Sequence, residues 1–297
     1  MKGENDVKSK TRQYLVYSVF VAPAVLFFCL IILLPFVRGV IYSFQDWNGI
    51  SSNVGWAGLD NYRMLFEDRY FWKSFGFTIK YVAVTAILFN IFGFLIALAL
   101  NVALKTKNLL RTGFFLPHVI GGVIIGFIWQ FIIVQLFGEI GQMTGWALFQ
   151  KNWLSLPGPA FWSIVIVAVW HSAGYYMIIY LAALQGVPKD LLEAAEIDGA
   201  GRLRRLWNVV VPMIRPAMTV CVFLAISSSF KAFDLNFSLT KGGPFGSTES
   251  LALQIYTDAF MKNLFTYAST KAVFFFVILA SITLIQTAVM KRKEVEM

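Results

Sequence analysis

The chain has 297 residues, of which 58% are hydrophobic and 14% charged, with a net charge of +9 and a mean hydropathy of +0.68. Soluble globular domains are much more polar, so this composition excludes a soluble domain and indicates a membrane protein. The positive charge forms no continuous stripe of the kind that binds nucleic acid, and we expect no nucleic-acid partner.

Six apolar stretches are long enough to cross a bilayer core of about 30 Å at about 1.5 Å per residue. In chain order they are residues 14–37, 81–104, 114–137, 160–184, 213–233 and 272–290. The first stretch follows basic residues, but its apolar run is far longer than that of a signal peptide, so we expect it to be retained. The prediction is an all-α integral membrane domain of six transmembrane helices over residues 14–290.

The distribution of Lys and Arg predicts the orientation of these helices. If both termini are cytoplasmic, the inner segments are residues 1–13, 105–113, 185–215 and 291–297, which hold 15 of the 25 basic residues. Positive charge favours the cytoplasmic side of a membrane and attracts anionic lipid. We therefore expect a multi-pass protein of the cell membrane with a cytoplasmic N-terminal segment and a cytoplasmic tail.

The inner segment 185–216 is rich in charged residues and predicts a helix, a turn and a second, basic helix. Pro188 suits the first turn of a helix, and Gly199 and Gly201 favour a stop followed by a turn. So many charges exclude burial in lipid. Small and apolar side chains between the acids suit docking in the groove of a partner protein, and a solvated connector is the alternative.

Polar and aromatic side chains cluster within the fourth and fifth predicted spans, where burial of such groups in lipid is costly. Groups of this kind usually face a cavity or another helix. The candidates for lining a solute path are His171, Ser172, Tyr175, Tyr176, Ser228, Ser229, Lys231, Phe233 and Asp234. Helix packing, bonding to the helix backbone and an internal ion pair between Lys231 and Asp234 are the alternatives.

Two other kinds of chemistry lack support in the sequence. His118 has no second ligand at metal-binding spacing, so we expect it to pack or to bond the backbone, and we predict no metal site. The chain has no GxxxxGK[ST] loop to hold nucleotide phosphates, so we expect it to hydrolyse no nucleotide itself.

The inner segment resembles the coupling motif of binding-protein-dependent ABC importer permeases, in which EAA is followed by a glycine and then by a hydrophobic residue and proline. Here these are Glu193, Ala194, Ala195, Gly199, Val211 and Pro212. Further matches to the carbohydrate-uptake branch, which is related to the maltose permeases, run in order along nearly the whole chain. They are Pro23–Ala24, Leu34–Pro35, Ser43–Phe44, Asp46–Trp47, residues 58–62, Arg111, Leu116–Pro117, Trp129, Leu239–Thr240, residues 242–244 and Thr248–Glu249.

The resemblance implies a type I importer permease fold, in which the helix around Glu193 fits a cleft in a cytoplasmic ATPase subunit. It assigns the coupling role to Glu193, Ala194, Ala195, Asp198, Gly199, Gly201 and Pro212. By alignment with the sugar permeases, Ser172, Gly174, Ser228 and Lys231 fall near where a sugar would bind, which adds Gly174 to the candidates for a solute path. Hydroxyl and amide-like donors suit sugar hydroxyls, and aromatic rings suit the apolar face of a sugar ring. The implied partners are a second homologous permease, two ATPase subunits that carry ATP and Mg²⁺, and an extracytoplasmic sugar-binding protein. No cofactor is expected on this chain.

Two other classes of protein remain as alternatives. A secondary transporter driven by an ion gradient would also be an apolar bundle, often with internal repeats and broken helices. A membrane enzyme would need a nucleophile with a base, a metal set or a carboxylate pair, whereas His118 and His171 lie on different predicted spans.

Overall fold

The computed structural model describes residues 17–47, 49, 51, 53–102, 105–150 and 152–291, most of which are helical. The predicted N-terminal segment 1–13, and the predicted tail beyond its first residue, lie outside the described residues. The helices are α1 (Tyr17–Tyr42), α2 (Asp60–Glu67), α3 (Arg69–Leu100), α4 (Lys107–Val119), α5 (Gly122–Thr144), α6 (Ala147–Gln150), α7 (Pro157–Gln185), α8 (Lys189–Ile197), α9 (Arg202–Met213), α10 (Arg215–Phe230), α11 (Leu251–Tyr256) and α12 (Phe265–Lys291). Two short strands, β1 (Gln45–Asp46) and β2 (Gly55–Trp56), pair antiparallel with Gln45 opposite Trp56.

Within the described residues, α1, α3, α5, α7 and α12 are each long and apolar enough to cross a membrane, and α9 with α10 forms a sixth, bent crossing. The two halves of that crossing meet at an angle of 71°. Pro216 explains the bend, because its ring lacks an N–H and blocks the carbonyl of the residue four positions earlier. The predicted all-α membrane fold is therefore confirmed, with a sixth crossing if α9 and α10 together form one span, whereas the sidedness of the termini stays a prediction.

The third predicted span, residues 114–137, was wrong in its extent. The backbone becomes extended at Ile120 and Gly121, so the apolar run divides between α4 and α5. Pro117 removes one helical hydrogen bond just before this break, and the paired glycines that follow have poor helix propensity. Apolar periodicity alone cannot reveal such an interruption, because every residue around it is compatible with lipid.

The described chain forms two compact units. The first contains residues 17–67 and 257–274. In it, the Asn61 side chain is buried and donates to the carbonyls of Ser43 and Gln45 at 3.1 and 2.9 Å, and Tyr62 shares a 2.8 Å hydrogen bond with the Ser43 hydroxyl. The sequence pattern around residues 43–62 is thus explained by local bonding that holds the chain after α1.

The first unit also contains a buried ion pair. The ammonium group of Lys271 lies 2.7 Å from the carboxylate of Asp258, and each of the two side chains is at most 3% exposed. The other carboxylate oxygen of Asp258 bonds Lys262 at 2.7 Å. Burial of these groups is tolerated because their charges compensate one another.

The second unit contains residues 68–256 and 275–291 of the described chain and is organised by α3 and α7. Phe77 packs edge to face on Phe161 near the start of both helices, and further along the Tyr180 hydroxyl donates to Asn90 at 2.5 Å. The two helices therefore run parallel. Since α7 leads directly into α8, the first residues of α3 and the helix α8 lie at opposite ends of this unit.

Candidate functional site

Helix α8 projects from the second unit with no buried residue. Leu192 packs partly on the core, while Glu193 and Ala194 face outward and Ile197 is 87% exposed. The predicted helix that begins near Pro188 is confirmed, with Pro188 immediately before its first residue. An exposed helix with alternating acidic and apolar side chains is suited to docking in a groove.

The end of α8 explains why a glycine stands four residues after Ala195. Gly199 has a φ of +77°, a conformation that other residues rarely adopt. The N–H of Ala200 bonds the carbonyl of Ala195 at 2.9 Å, and the N–H of Gly199 bonds that of Glu196 at 3.0 Å. This pair of hydrogen bonds is the Schellman motif, which ends a helix sharply.

An ion pair then joins α8 to α9. The Arg205 guanidinium donates to the Glu196 carboxylate, and the Arg205 side chain is only 22% exposed. The pair closes the turn between the two helices and fixes the direction in which α8 points. The sequence alone does not predict this ion pair, because a pair across a turn depends on the turn geometry.

Glu193 differs from Glu196 in this respect. Its side chain is exposed, and it makes no hydrogen bond or ion pair with any residue in the described part of the chain. An exposed carboxylate that has no partner within the described residues can accept hydrogen bonds or pair with an Arg from another protein.

The remaining predicted coupling residues have structural positions of different kinds. Asp198 caps the C-terminus of α8, and its N–H bonds Ala194. Gly201 is extended and has open space around it, so its conformation does not require glycine. Pro212 follows a π-helical turn, Leu206–Val210, which accommodates the missing N–H of proline where α9 approaches the bend.

A second feature is a polar cavity of about 290 Å³ within the same unit. It brings together seven of the ten predicted solute-path residues: His171, Ser172, Ser228, Ser229, Lys231, Phe233 and Asp234. The wall is completed by Tyr81, Phe89, His118, Gly122, Ala168, Ala232 and Leu235. This volume is near the lower limit of small-molecule pockets, which begin at roughly 300 Å³.

Lys231 and Asp234 line this cavity as separate charges. Both are exposed, and no ion pair joins them to each other or to another residue that the structure describes. The alternative of an internal Lys231–Asp234 ion pair is therefore not observed. The chain presents a cation and an anion to the cavity, both available to polar groups of a solute.

Gly174, Tyr175 and Tyr176 lie outside the cavity lining. A side chain at Gly174 would meet the Phe114 carbonyl oxygen at 1.9 Å, so this glycine permits close packing of α4 on α7. Tyr176 is buried, stacks on Phe89 and shares a 3.3 Å hydrogen bond with Ser228. Its hydroxyl supports a residue of the cavity wall.

His118 was expected to pack or to bond the backbone, and the structure also places it in the cavity wall. Its ring stacks on Tyr175 at 4.7 Å and lies 5.4 Å from the ring of His171. His171 in turn bonds the Ile120 carbonyl at 3.1 Å, at the break between α4 and α5. The break brings His118 to α7, and the local sequence signals for the break are Pro117 and the paired glycines Gly121 and Gly122.

The fold is shared with known transporters. A chain in the crystal structure of a bacterial ABC transporter involved in the import of the acidic polysaccharide alginate superposes with a TM-score of 0.82 at 20% identity, covering 98% of this chain and 99% of that one. An amino acid ABC transporter matches less closely, with a TM-score of 0.53 over 78% of this chain. These likenesses show that the chains share one fold.

The chain belongs to the family described as the binding-protein-dependent transport system inner membrane component, whose model matches residues 89–295. It is 42% identical over 283 residues to the probable starch degradation products transport system permease protein AmyD of Thermoanaerobacterium thermosulfurigenes, covering 95% of this chain and 96% of the relative. It is 32% identical to the multiple sugar-binding transport system permease protein MsmF of Streptococcus mutans, covering 88% and 90%.

These matches confirm the predicted resemblance and make the chain a multi-pass inner-membrane transport permease subunit. The alternative of a membrane enzyme is set aside, because the family and these relatives are transport permeases.

Proposed function

We propose that this permease forms half of the translocation path for a carbohydrate in an ATP-driven importer and is coupled to separate ATPase subunits through α8. A second homologous permease supplies the other half, two ATPase subunits bind ATP and Mg²⁺, and an extracytoplasmic sugar-binding protein delivers the solute. The observation that carries the proposal is the unpaired, exposed Glu193 on a helix whose end and direction are both fixed.

The geometry of α8 supports a mechanical role. A helix that transmits motion must not pivot on its own base, and α8 is restrained by the Schellman motif and by the Glu196–Arg205 pair. Its outward face has a carboxylate at Glu193 beside the small Ala194, which permits close approach of a partner. An exposed ion pair contributes only about 0–1 kcal/mol, so Glu193 needs a desolvating cleft to act as a firm anchor.

The polar cavity supports the proposal that this chain forms part of the translocation path. Ser172, Ser228 and Lys231 provide hydroxyl and ammonium groups for sugar hydroxyls, and Phe233 provides an apolar ring at the same wall. His118 adds a buried Nδ1 atom that bonds no residue in the described part of the chain. Polar groups of this kind at membrane depth face a cavity rather than lipid.

The carbohydrate class rests on the relatives. The names of AmyD and MsmF refer to starch degradation products and to multiple sugars, and the diacetylchitobiose uptake permease NgcF of Streptomyces coelicolor is 29% identical over 92% of this chain. Oligosaccharides of neutral sugars are therefore the first solutes to test.

The energy source is tested by reconstituting the chain with its homologous permease, ATPase subunits and binding protein in proteoliposomes. We expect uptake of a labelled oligosaccharide to require ATP on the side of α8 and to persist when proton and sodium gradients are dissipated. Uptake that continues without ATP and stops with the gradient would establish the secondary transporter instead.

The coupling role is tested by Glu193→Lys. We expect normal membrane insertion, loss of uptake and weaker co-purification of the ATPase subunits, because a cation replaces the anchoring carboxylate. Glu139→Lys is the matched control, an exposed charge reversal near the other end of the unit, on α5. Unchanged uptake in Glu193→Lys, or equal losses in both variants, would refute the assignment.

A further inference from the structure

Residues 241–249, here called the Phe245 loop, carry the glycine, proline and threonine pattern noted in the sequence and lie outside both features described so far. The Thr248 hydroxyl is its centre: it is fully buried and donates to the Gly243 carbonyl at 2.5 Å. The N–H of Thr248 bonds Gly242 at 3.2 Å, and the fully buried Asn236 side chain donates to the Thr248 carbonyl at 2.8 Å. These hydrogen bonds restrain the conformation of the loop.

The loop is also fixed to α3. The ammonium group of Lys73 donates to the Phe245 carbonyl at 2.5 Å, and the Ser74 hydroxyl donates to the Glu249 carboxylate at 3.5 Å. Lys73 and Ser74 belong to the first turns of α3. The Phe245 loop therefore lies at the end of the unit opposite to α8, which is the extracytoplasmic end if α8 meets the ATPase subunits.

The tip of this restrained loop is an apolar ring in solvent. The Phe245 side chain is 88% exposed, and its φ is +53°, in the left-handed region that residues other than glycine rarely occupy. Folding thus holds an aromatic residue outward in an unfavourable backbone conformation. Strain of this kind is retained at ligand-binding and contact sites, where the surrounding structure enforces it.

The loop is continuous with the polar cavity. The chain that lines the cavity at Phe233 and Asp234 leads into a π-helical segment, Asn236–Thr240, and then into the loop. The Ser238 hydroxyl bonds the Asp234 carbonyl at 2.6 Å, and the Thr248 hydroxyl bonds Thr240 at 2.8 Å. A protein seated on Phe245 would be joined to the cavity wall through one bonded segment.

We propose that Phe245 is an aromatic anchor for the extracytoplasmic solute-binding protein and inserts into an apolar pocket on the surface of that protein. This inference rests on the proposed function. Aromatic residues dominate the binding energy of protein interfaces, and a loop that is already ordered loses little conformational freedom on docking. A folded partner is favoured over lipid, because binding to lipid requires neither a restrained loop nor a position next to the cavity.

The experiment uses the assembled transporter in nanodiscs and measures ATP hydrolysis as purified, solute-loaded binding protein is added. For Phe245→Ala we expect the half-saturating concentration of binding protein to rise about tenfold, while hydrolysis without binding protein is unchanged. Lys73→Met, which removes the bond to the Phe245 carbonyl, should give a smaller rise in the same direction. Met143→Ala is the matched control, because Met143 is 86% exposed on α5 and lies outside the loop.

An unchanged half-saturating concentration in Phe245→Ala would overturn the inference, as would an equal rise in Met143→Ala. A rise in Phe245→Ala that disappears when the transporter is tested in detergent without lipid would assign the ring to the membrane surface instead. Loss of the complex itself in Phe245→Ala would assign it to the second permease. If the binding protein does not stimulate ATP hydrolysis by the wild-type complex, the result refutes the proposed function as a whole and not only the role of Phe245.

Discussion

Arg205 on α9 donates to the Glu196 carboxylate on α8, although nine residues and a sharp turn separate them along the chain. The Arg205 side chain is mostly buried whereas Glu196 is 68% exposed, so the pair joins the projecting helix to the body of the unit. Neighbouring Glu193 faces the surroundings unpaired within the described residues. Of these two acids, which are three residues apart on one short helix, Glu196 is paired with Arg205, whereas Glu193 is available to another protein.

Glu196→Gln and Arg205→Gln should each loosen α8 with little effect on fold stability. An exposed pair contributes about 0–1 kcal/mol, so we expect an uptake loss of about two- to fivefold at an unchanged thermal unfolding temperature. The double variant Glu196→Arg with Arg205→Glu should recover part of the activity, measured as transport per ATP hydrolysed. A double variant that is no better than the single ones would show that the pair does not orient α8.

Gly199→Ala should weaken association with the ATPase subunits, because an L-residue at this φ is destabilised by about 1–2 kcal/mol and shifts the end of α8. Gly199→Asn should be milder, since asparagine tolerates the left-handed region. Gly201→Ala is the control with an extended backbone and open space around it. Pull-down of the ATPase subunits compares the three, and equal behaviour of the two alanine variants would contradict the prediction.

Gly174→Ala should destabilise the packing of α4 on α7. A methyl group there would overlap the Phe114 carbonyl, and overpacking in a close contact costs about 1–3 kcal/mol. Gly113→Ala, where nothing lies within 4 Å, should leave stability unchanged. Thermal unfolding in detergent measures both, and a stable, fully active Gly174→Ala protein would require α4 and α7 to be further apart than described.

Lys231→Met should raise the KM for solute uptake without lowering stability, because Lys231 is exposed and unpaired in the described chain yet lines the cavity. Loss of one charge-assisted hydrogen bond predicts a rise of about tenfold. Lys80→Met is the control: its ammonium group lies over the Phe161 ring at 4.2 Å, away from the cavity lining, so we expect unchanged KM and a slight loss of stability. The prediction fails if both variants alter KM alike.

Much of the architecture was present in the sequence. Six apolar runs, a charged segment that excludes lipid, and the glycine that ends α8 are properties of consecutive residues, because helix formation and membrane insertion depend on local composition. The family resemblance likewise rested on short motifs in chain order. Ser43, Asn61 and Tyr62, which belong to those motifs, proved to bond to one another in the structure.

The tertiary structure alone decided which polar residues share a cavity. His118 lies in the cavity wall because the third apolar run breaks at Ile120, whereas Gly174 lies outside the cavity lining, at a place where a side chain would meet the backbone of α4. The sequence alone also does not predict the Glu196–Arg205 ion pair or the hydrogen bond from Lys73 to the Phe245 carbonyl. Each is a contact between segments separated along the chain, and its existence depends on the angles of turns and breaks, which local composition does not determine.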